Sequence, residues 1–513
     1  METEFLKEVS PREYQKKIFE TCREKNCLVV LPTGLGKTLI ALMLAIERLE
    51  KFPKERILFL APTKPLAEQH LRYFEKHLPE LFADMQLFTG SVNPKERKKI
   101  WQTANMIFST PQCIANDLKN HLYDLSEVCL LIEDEAHRCL KNYDYNFVAQ
   151  KYKENARNQR ILGLTASPGS EVSKIKDICK NLSIEEVELR TRESLDVKGY
   201  LQEVEFEKII INFPKEFEEI RIALKALFNR YVEELRSRHV LFGFASKVEL
   251  INLQKKISGM LLRGNKNFNY FHASSACAQA IKIQHALELL ETQTLNGFDK
   301  YLKKLFDEAR KKKSKGVVAL VSSSEFAFAF NKANELMAKN SEHPKVQKLS
   351  ELIKNEIEKN AKTKIIVFMQ FRDTASLISK NLNEIHGIKS RIFVGQVKKT
   401  SSKGEITGLN QKEQKKIIED FSHGDLNVLC ATSIGEEGLD IPEVNAVIFY
   451  EPVASAIRKI QRAGRTARLM KGKIIVLITK KTRDENFYYV SKNRERKMHS
   501  AIQGIKEDLK RKS

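Results

Sequence analysis

The sequence predicts an α/β protein in which two parallel-sheet domains are separated by an inserted, mainly helical domain. Short apolar runs alternate with helical patterns over residues 1–201, and the same alternation returns over residues 344–495. Between these two parts the pattern is that of helices. The length of 513 residues also exceeds what one hydrophobic core usually spans, which favours several domains.

The first domain, predicted over residues 1–201, contains short apolar runs that end in small or polar residues. These runs are CLVVLP (27–32), RILFLAP (56–62), MQLFTG (85–90), NMIFST (105–110), LLIEDE (130–135) and RILGLTA (160–166). Such runs are typical of parallel strands with helices on both faces. In a sheet of this kind, ligands gather at the carboxyl ends of the strands.

The middle part, residues 202–343, is predicted to be mainly helical after a possible strand at 205–213. The apolar residues that recur at helix spacing include Leu224, Leu227, Tyr231 and Leu235. The segment 301–315 is strongly basic, which fits either a solvated helix end or a contact with nucleic acid.

The second α/β domain is predicted over residues 344–495. Its apolar runs are KIIVFMQF (364–371), SRIFVG (390–395), NVLCATS (427–433), AVIFYE (446–451) and KIIVLIT (473–479), and NQKEQKKIIEDF (410–421) is a helical segment between them. Residues 496–513 are predicted as a basic C-terminal tail.

The chain is strongly basic, with a formal net charge of +22 and a pI of about 9.4. This charge fits either a lysine-rich surface that favours solubility or a polyanionic partner such as nucleic acid. No apolar run is long enough to cross a bilayer, and the N-terminus does not resemble a signal peptide, so we expect no membrane contact. The eight cysteines form no CxxC pair, so we expect buried thiols in a reducing cytoplasm rather than a metal site.

The stretch LPTGLGKT (31–38) predicts a phosphate-binding loop, because it follows an apolar run and precedes a helical one. The backbone from Thr33 through Gly34, Leu35 and Gly36 would turn its N–H groups toward phosphate oxygens. Lys37 would reach the β- and γ-phosphates, and Thr38 would hold Mg²⁺. Leu31 stands where the widest pattern has glycine, but the cradle uses the later residues.

Two carboxylates follow another predicted strand, in LLIEDEAH (130–137). Asp134 is placed to bind the Mg²⁺ shell, directly or through water, and Glu135 is the candidate general base that orients the attacking water. An acidic pair at a strand end is by itself equally compatible with a solvated loop. The preceding phosphate loop is what favours the catalytic interpretation.

Arginines crowd the late stretch QRAGRTAR (461–468), where Arg462, Arg465 and Arg468 surround one glycine. An arginine that reaches the equatorial oxygens of a transferred phosphoryl group can be worth about 10³–10⁵ in rate. This stretch lies in the second α/β domain, so we expect it to close over the γ-phosphate across a cleft. The alternative, a basic helix face without a ligand, explains the charge but not the spacing.

Together these motifs resemble those of superfamily 2 helicases of the DEAH type. The ordered set is PREYQ (11–15), LPTGLGKT, APTKPLAEQH (61–70), FTGS (88–91), STPQ (109–112), DEAH (134–137), LTASP (164–168), VFMQFRDTA (367–375), ATSIGEEGLDIPEV (431–444) and QRAGRTAR. With the large helical insert, the chain is most similar to archaeal Hef-type fork helicases and to the Fanconi anaemia group M translocase, and more distantly to dsRNA-sensing receptor helicases. The resemblance implies two RecA-like domains, ATP and Mg²⁺ as cofactors, and branched DNA as the partner.

The resemblance also implies roles for single residues around the nucleotide. Gln15, helped by Arg12, would read the adenine edge, and Thr165, Ser167 and His137 would couple the nucleotide state to the strand path. The residues that would meet the γ-phosphate are Gln461, Arg465 and Arg468, while Gly438 and Asp440 would lie near the ribose and the cleft between the domains.

A track for the nucleic-acid backbone across both domains is implied in the same way. Its residues would be Thr63, Lys64, Thr89, Gly90 and Thr110 from the first domain, and Gln370, Gly395, Gln396 and Thr432 from the second. Hydroxyls and backbone N–H groups can bind phosphates without reading bases, but Thr and Gly are also ordinary at strand ends. The insert would contact duplex at the junction.

Hef-type proteins commonly carry a nuclease with an ERKxxxD signature, and NRERKMHSA (493–501) contains its first three residues. The residue at the aspartate position is Ala501, so we do not expect a nuclease site here. The chain is then either a helicase-only protein or one whose C-terminal nuclease part was removed, with replication or repair proteins as further partners.

Three functions are compatible with this pattern. The leading hypothesis is an ATP-driven helicase or translocase that acts on branched DNA in the repair of stalled forks. The second is a dsRNA-binding switch or sensor, since the fold and the ATP site do not determine the substrate. The third is an inactive ATPase, which the presence of Lys37, Asp134 and Glu135 disfavours.

Overall fold

The computed structural model of the chain describes residues 5–140, 143–200, 203–263, 267–312, 314–395, 408–432, 441–453, 455, 466 and 471–511. Within these residues, two parallel sheets are separated along the chain by a bundle of helices, which confirms the predicted fold class. No helix of the described part combines the length and the apolar content needed to cross a membrane.

The first sheet is parallel throughout. Its strands are β1 (Cys27–Val30), β2 (Arg56–Leu60), β3 (Met85–Phe88), β4 (Met106–Ser109), β5 (Val128–Asp134), β6 (Ile161–Thr165) and β7 (Glu186–Leu189). Their spatial order is β3-β4-β2-β5-β6-β1-β7. Each predicted run overlaps one of the strands β1 to β6, whereas the edge strand β7 was not predicted.

Helices cover both faces of this sheet. They are α1 (Glu13–Glu24), α2 (Lys37–Lys51), α3 (Lys64–His77), α4 (Pro94–Thr103), α5 (Pro111–Lys119), α6 (Asp144–Asn155), α7 (Val172–Asn181) and α8 (Leu195–Lys198). Alternate residues of one strand enter different cores: Leu28 and Val30 pack on one face and Val29 on the other. The strands are apolar on both sides for this reason.

The helical bundle follows the first domain in the chain. Its helices are α9 (Lys215–Ser237), α10 (Lys247–Leu262), α11 (Phe268–Thr292), α12 (Leu295–Arg310), α13 (Lys315–Val321) and α14 (Ser324–Ala338). Leu224, Leu227 and Leu235 of α9 are buried, as their spacing predicted. The basic segment 301–315 contains the C-terminal part of α12, which ends at Arg310.

The second sheet is also parallel. Its strands are β8 (Val204–Ile211), β9 (Ile365–Phe368), β10 (Ser390–Phe393), β11 (Val428–Ala431), β12 (Ala446–Phe449) and β13 (Gly472–Thr479), in the order β10-β11-β9-β12-β13-β8. The helices of this domain are α15 (Pro344–Lys359), α16 (Arg372–Asn383), α17 (Gln411–His423) and α18 (Arg483–Lys510). Each of the five predicted runs overlaps a strand.

Strand β8 lies in a different domain from the one predicted for its residues. It pairs with β13 over its whole length, from Val204 beside Gly472 to Ile211 beside Thr479. The predicted limit at residue 202 placed this strand with the helical insert. The chain therefore enters the second sheet before it forms the bundle, and a partner more than two hundred residues later in the chain determines where β8 lies.

The predicted tail at 496–513 is corrected by helix α18, which continues to Lys510. Met498, Ala501, Ile502 and Ile505 lie on one face of α18, and all four belong to a core of the first domain. Their spacing of three and four residues is that of an apolar helix stripe. Although α18 follows directly after β13 of the second sheet, its C-terminal half therefore packs on the first domain.

Candidate active site

The strand order divides the carboxyl edge of the first sheet into two halves. The phosphate loop follows β1, the DEAH motif follows β5 and the LTASP motif follows β6, and β5, β6 and β1 are neighbours in the sheet. The strands β3, β4 and β2 make up the other half, and the predicted nucleic-acid contacts follow them. Because parallel strands end at the same edge, each group of motifs is brought together.

The phosphate loop is built around two glycines in the left-handed region of backbone conformation. Gly34 has a φ of 88°, and Gly36, the residue just before α2, has a φ of 74°. The left-handed conformation of Gly36 favours glycine, and a Cβ there would also displace the side-chain amide of Gln15. Lys37 Nζ donates a hydrogen bond to the Leu31 carbonyl at 2.9 Å.

The predicted adenine-reading residues lie directly against this loop. Gln15 Nε2 donates to the Leu35 carbonyl at 3.1 Å, and Gln15 Oε1 accepts from the Arg12 backbone N–H at 2.8 Å. The Tyr14 hydroxyl donates to the same carbonyl at 2.8 Å. The Arg12 guanidinium lies 5.0 Å over the ring of Tyr200. The start of α1 and the phosphate loop are thus one connected unit, in which Tyr14 and Tyr200 were not predicted to take part.

Asp134 lies at the end of β5, with its carboxylate almost buried. Its Oδ2 is 2.9 Å from His70 Nε2, and its backbone carbonyl accepts a hydrogen bond of 2.7 Å from the Tyr145 hydroxyl. Burial by itself would raise the pKa of Asp134, but the nearby His70 and Lys37 outweigh it and hold the pKa below its ordinary value. The carboxylate is therefore ionised and available to a cation.

Glu135 follows in a left-handed conformation, with a φ of 52°. This is rare for a residue with a side chain and costs about 1–3 kcal/mol, a strain that is often found at functional sites. The Oε2 atom of Glu135 lies 3.2 Å from His137 Nδ1. The local backbone thus turns sharply at the predicted general base.

A chain of polar contacts joins the DEAH motif to the LTASP motif. His137 Nδ1 is 3.2 Å from Thr165 Oγ1, which also accepts from the Ser167 backbone N–H at 3.1 Å. The Ser167 hydroxyl in turn contacts Met498 Sδ of α18 at 2.9 Å. The three predicted coupling residues are therefore adjacent, and the structure adds Met498 to them. Their role in coupling remains a prediction.

The predicted nucleic-acid contacts of the first domain all follow strands of the other half of the edge. Thr63 and Lys64 come after β2 and begin α3, Thr89 and Gly90 come after β3, and Thr110 comes after β4. Lys64 and Gly90 are exposed. Thr63 Oγ1 is buried and has no hydrogen-bond partner within the described part of the chain. A buried hydroxyl without a partner is unusual in a folded protein.

The second sheet repeats this arrangement. Gln370 follows β9, Gly395 follows β10 and Thr432 follows β11, and these strands are neighbours in the order β10-β11-β9. Arg372 Nη2 donates to the Gly395 carbonyl at 3.0 Å, which links two of these strand ends. The remaining predicted residues lie outside the described residues; they are Gln396, Gly438, Asp440, Gln461, Arg462, Arg465 and Arg468.

His70 and Tyr145 are further residues of the site that the sequence did not indicate. His70 is the last residue of the stretch APTKPLAEQH, in which only Thr63 and Lys64 were given a role. The signal that could have found it is its position on α3, six residues after Lys64, on a helix that begins at the same edge as Asp134. Tyr145 gives no comparable signal, because an aromatic residue on a helix usually belongs to the core.

Family models match all three parts of the chain. The DEAD/DEAH box helicase model matches residues 12–175, and the helicase conserved C-terminal domain model matches residues 344–470. A helical-bundle model, provisionally named for ATP-dependent RNA helicases, matches residues 216–342. The order of the three matches is that of the two sheets and the bundle.

Relatives with described names are similar over almost the whole chain. A Methanocaldococcus jannaschii protein, provisionally named as an ATP-dependent RNA helicase, is 38% identical over 97% of this chain and 61% of its own length. The ATP-dependent DNA helicase fml1 of Schizosaccharomyces pombe is 31% identical over 92% of this chain and 57% of its own length. The chain thus spans about 60% of the length of these two relatives.

A solved structure agrees with the sequence comparisons. The crystal structure of the Pyrococcus furiosus Hef helicase domain is 41% identical in sequence to this chain and superimposes with a TM-score of 0.72. The match covers 94% of this chain and 98% of the Hef chain. Similarity of this extent includes both sheets and the bundle. The chain therefore belongs to the superfamily 2 DEAD/DEAH-box helicases, and within them to the family of the Hef helicase domain.

Proposed function

We propose that this protein is an ATP-driven DNA helicase or translocase that acts on branched DNA in the repair of stalled forks. The observation that carries the proposal is the divided edge of the first sheet. One half holds a phosphate loop beside an ionised aspartate, and the other half presents small and hydroxyl residues at three neighbouring strand ends. The names of the yeast relative and of the Hef structure support DNA as the substrate.

The residues at the phosphate half fit ATP with Mg²⁺. Mg²⁺ is commonly held by one or two carboxylates together with substrate phosphates and water, and the ionised Asp134 and the hydroxyl of Thr38 provide such a set. When bound, the ion neutralises charge on the β- and γ-phosphates. Lys37 stabilises the same charge, and Glu135 orients the attacking water and accepts its proton.

Closure of the two sheets completes the site in this proposal. Gln461, Arg465 and Arg468 reach the γ-phosphate from the second domain, while Gly438 and Asp440 line the ribose side of the cleft. Hydrolysis removes the group that these arginines bind, so the sheets separate again. The coupling residues His137, Thr165 and Ser167 relay this change to the strand path, since they connect Glu135 to α18.

The strand track uses matching halves of the two sheets. Thr63, Lys64, Thr89, Gly90 and Thr110 hold backbone phosphates in the first domain, and Gln370, Gly395, Gln396 and Thr432 hold them in the second. Donors to phosphate carry no sequence information, which suits a motor that must move along any strand. The unpartnered hydroxyl of Thr63 supports this assignment.

The helical insert contacts duplex at the junction in this proposal. Residues 236–282 include eight lysines and arginines and one acidic residue. Two aromatic side chains of this segment, Phe242 and Phe244, are each 86% exposed. Basic surfaces with exposed aromatic rings are typical of sites that bind a nucleic-acid backbone and stack against its bases.

The deciding experiment compares ATPase rates and strand displacement on forks, four-way junctions, linear duplex, single-stranded DNA and dsRNA. We expect the largest stimulation with forked or four-way DNA, together with ATP-dependent release of product strands. Rates that rise with dsRNA alone, or ATP-dependent binding without released strands, would favour the alternative, a dsRNA-binding switch. The name of the M. jannaschii relative is the observation on the side of that alternative.

A further inference from the structure

The buried histidine beside Asp134 has no role in the function proposed so far. His70 Nε2 lies 2.9 Å from Asp134 Oδ2, and each of the two side chains is only 10% exposed. Such a contact between a carboxylate and an imidazole restricts the rotation of both groups, because few other partners are available inside the protein. The backbone N–H of Glu135 also hydrogen-bonds to this carboxylate.

The ring of His70 is itself held by the core of the first domain. Its centroid lies 4.4 Å from that of Phe59, and Phe59 belongs to β2, the strand next to β5. Phe59 packs in turn on Phe74 and Phe108, at centroid distances of 5.8 and 5.3 Å. The position of the imidazole is therefore determined by the buried sheet and not by an exposed loop.

Asp134 is thus held at two points, its carboxylate by His70 and its backbone carbonyl by the Tyr145 hydroxyl. The ammonium of Lys37 also acts electrostatically on this carboxylate. Without His70, rotation of the carboxylate toward Lys37 would pair these two groups with each other. Both would then be less available to a nucleotide and its metal ion.

We propose that His70 is a positioning residue that holds the carboxylate of Asp134 in the orientation needed to bind the Mg²⁺ of the nucleotide complex. This inference rests on the metal role proposed for Asp134. Residues that orient a metal ligand through a hydrogen bond typically change metal affinity or activity by about 10–100-fold when they are replaced. His70 acts through Asp134 and takes no part in the chemical step.

The test compares two replacements of similar size at His70. His70→Gln keeps an N–H donor for Asp134, whereas His70→Met fills the space without one. His77 provides the matched control, because it lies on the same helix, is also buried, and its ring Nδ1 donates a hydrogen bond of 2.8 Å to the Lys7 carbonyl. His77→Met therefore reports what the loss of a buried histidine on α3 does to stability alone.

Two quantities are measured for each variant: the Mg²⁺ dependence of ADP binding by calorimetry, and the thermal unfolding midpoint without nucleotide. We expect His70→Met to raise the Mg²⁺ concentration that half-saturates the enhancement of ADP binding by at least about tenfold. His70→Gln should stay within about threefold of the parent protein, because it keeps the donor. His77→Met should leave the Mg²⁺ dependence unchanged while its unfolding midpoint falls.

The same Mg²⁺ dependence in His70→Met and His77→Met would overturn the inference, because His70 would then be a packing residue only. Asp134→Asn separates this failure from that of the proposed metal site. If Asp134→Asn abolishes the Mg²⁺ effect and His70→Met does not, the positioning role alone is wrong. If Asp134→Asn leaves the Mg²⁺ effect intact, the metal assignment of Asp134 is wrong, and the role of His70 is overturned with it.

Discussion

Two buried aspartates of this protein, Asp134 and Asp484, lie in similar surroundings and differ in what remains available to a ligand. Asp134, at the end of β5, contacts His70 and lies in the field of Lys37, at a sheet edge where ligands bind. Asp484, at the start of α18, is fully buried and pairs with Lys345, which is also fully buried. In both pairs a buried carboxylate contacts a nitrogen-bearing side chain.

The buried pair of Lys345 and Asp484 makes further contacts with several parts of the protein. Lys345 Nζ donates to the Thr292 carbonyl at 3.3 Å and lies 5.1 Å over the ring of Tyr450, and Asp484 Oδ2 accepts from the Thr479 N–H at 3.0 Å. These residues belong to α11, β13 and the segment after β12, so the pair joins the helical insert to the second sheet. Because both side chains are fully buried, this pair is a structural joint, even though Asp484 Oδ1 has no hydrogen-bond partner within the described residues.

The pKa values of the two aspartates are shifted in opposite directions. Burial raises the pKa of Asp484 in spite of the ion pair with Lys345. At Asp134 the contact with His70 and the nearby Lys37 outweigh burial, and the pKa lies below its ordinary value. Ionisation is thus favoured at the edge of the first sheet, where we propose that a cation binds, and costly at the buried pair of Asp484 and Lys345.

The largest effect on activity is expected at the sheet edge that holds Asp134 and Lys37. Lys37→Ala should lower the ATPase kcat by at least about a hundredfold, because the charge that faces the phosphates is lost. The free energy of unfolding should change by less than about 1 kcal/mol. Steady-state ATPase assays and urea unfolding measure the two quantities. Undiminished hydrolysis would mean that the phosphate site lies elsewhere.

The opposite result, a loss of stability without a loss of activity, is expected at the buried pair of Lys345 and Asp484. Lys345→Met should lower the free energy of unfolding by about 3–5 kcal/mol, because it leaves Asp484 buried without its cation. At a temperature where the variant is folded, its ATPase rate should remain within about twofold of the parent rate, since the joint touches no proposed ligand. A large loss of ATPase activity in folded Lys345→Met would break the comparison.

The double variant Lys345→Met with Asp484→Leu is the control for this effect, because replacing both members of a buried ion pair by apolar residues is often nearly neutral. The pH dependence has a definite sign. Without Lys345, the pKa of Asp484 in the folded state rises further above its unfolded value of about 4, so stability is lost as the pH rises above that value. Urea unfolding of Lys345→Met at pH 5 and pH 8 should show the lower stability at pH 8.

The smallest effect is expected at Glu288. This prediction tests whether a low pKa by itself identifies a functional carboxylate. Burial would raise the pKa of Glu288 on α11, but hydrogen bonds from His285 and Lys247 outweigh it and lower the pKa to about 2. Glu288→Gln should cost about 1–3 kcal/mol of stability at pH 7 and leave the ATPase rate unchanged. The stability that the ionised group provides is present above pH 4.5 and is lost as the pH falls toward 2.

Chemical denaturation of the parent protein and Glu288→Gln at pH 7 and at pH 3 measures this contribution. The difference in unfolding free energy between the two proteins should shrink at pH 3. A drop in ATPase activity with unchanged stability would instead give Glu288 a role in ATP hydrolysis. It would contradict the view that this carboxylate has only a structural role.

The sequence indicated the core strands of both sheets and the phosphate loop because these features are local. A run such as CLVV followed by LPTGLGKT contains its own strand, its glycines and the start of α2 within a dozen residues. The arrangement of β7, β8 and α18 was missed for the opposite reason. Each depends on partners far away in the chain, such as the pairing of Val204 with Gly472.

The sequence by itself determined the fold class and the family resemblance and predicted which residues bind ATP, because side-chain chemistry and hydrophobic periodicity are properties of short segments. Only the tertiary structure decided that His70 meets Asp134, that Met498 meets Ser167 and that Lys345 meets Asp484. These pairs are separated by 64, 331 and 139 residues, respectively, and no periodicity within a segment can specify a contact between segments. The order and register of the strands bring them together, and the packing of the whole chain sets that order.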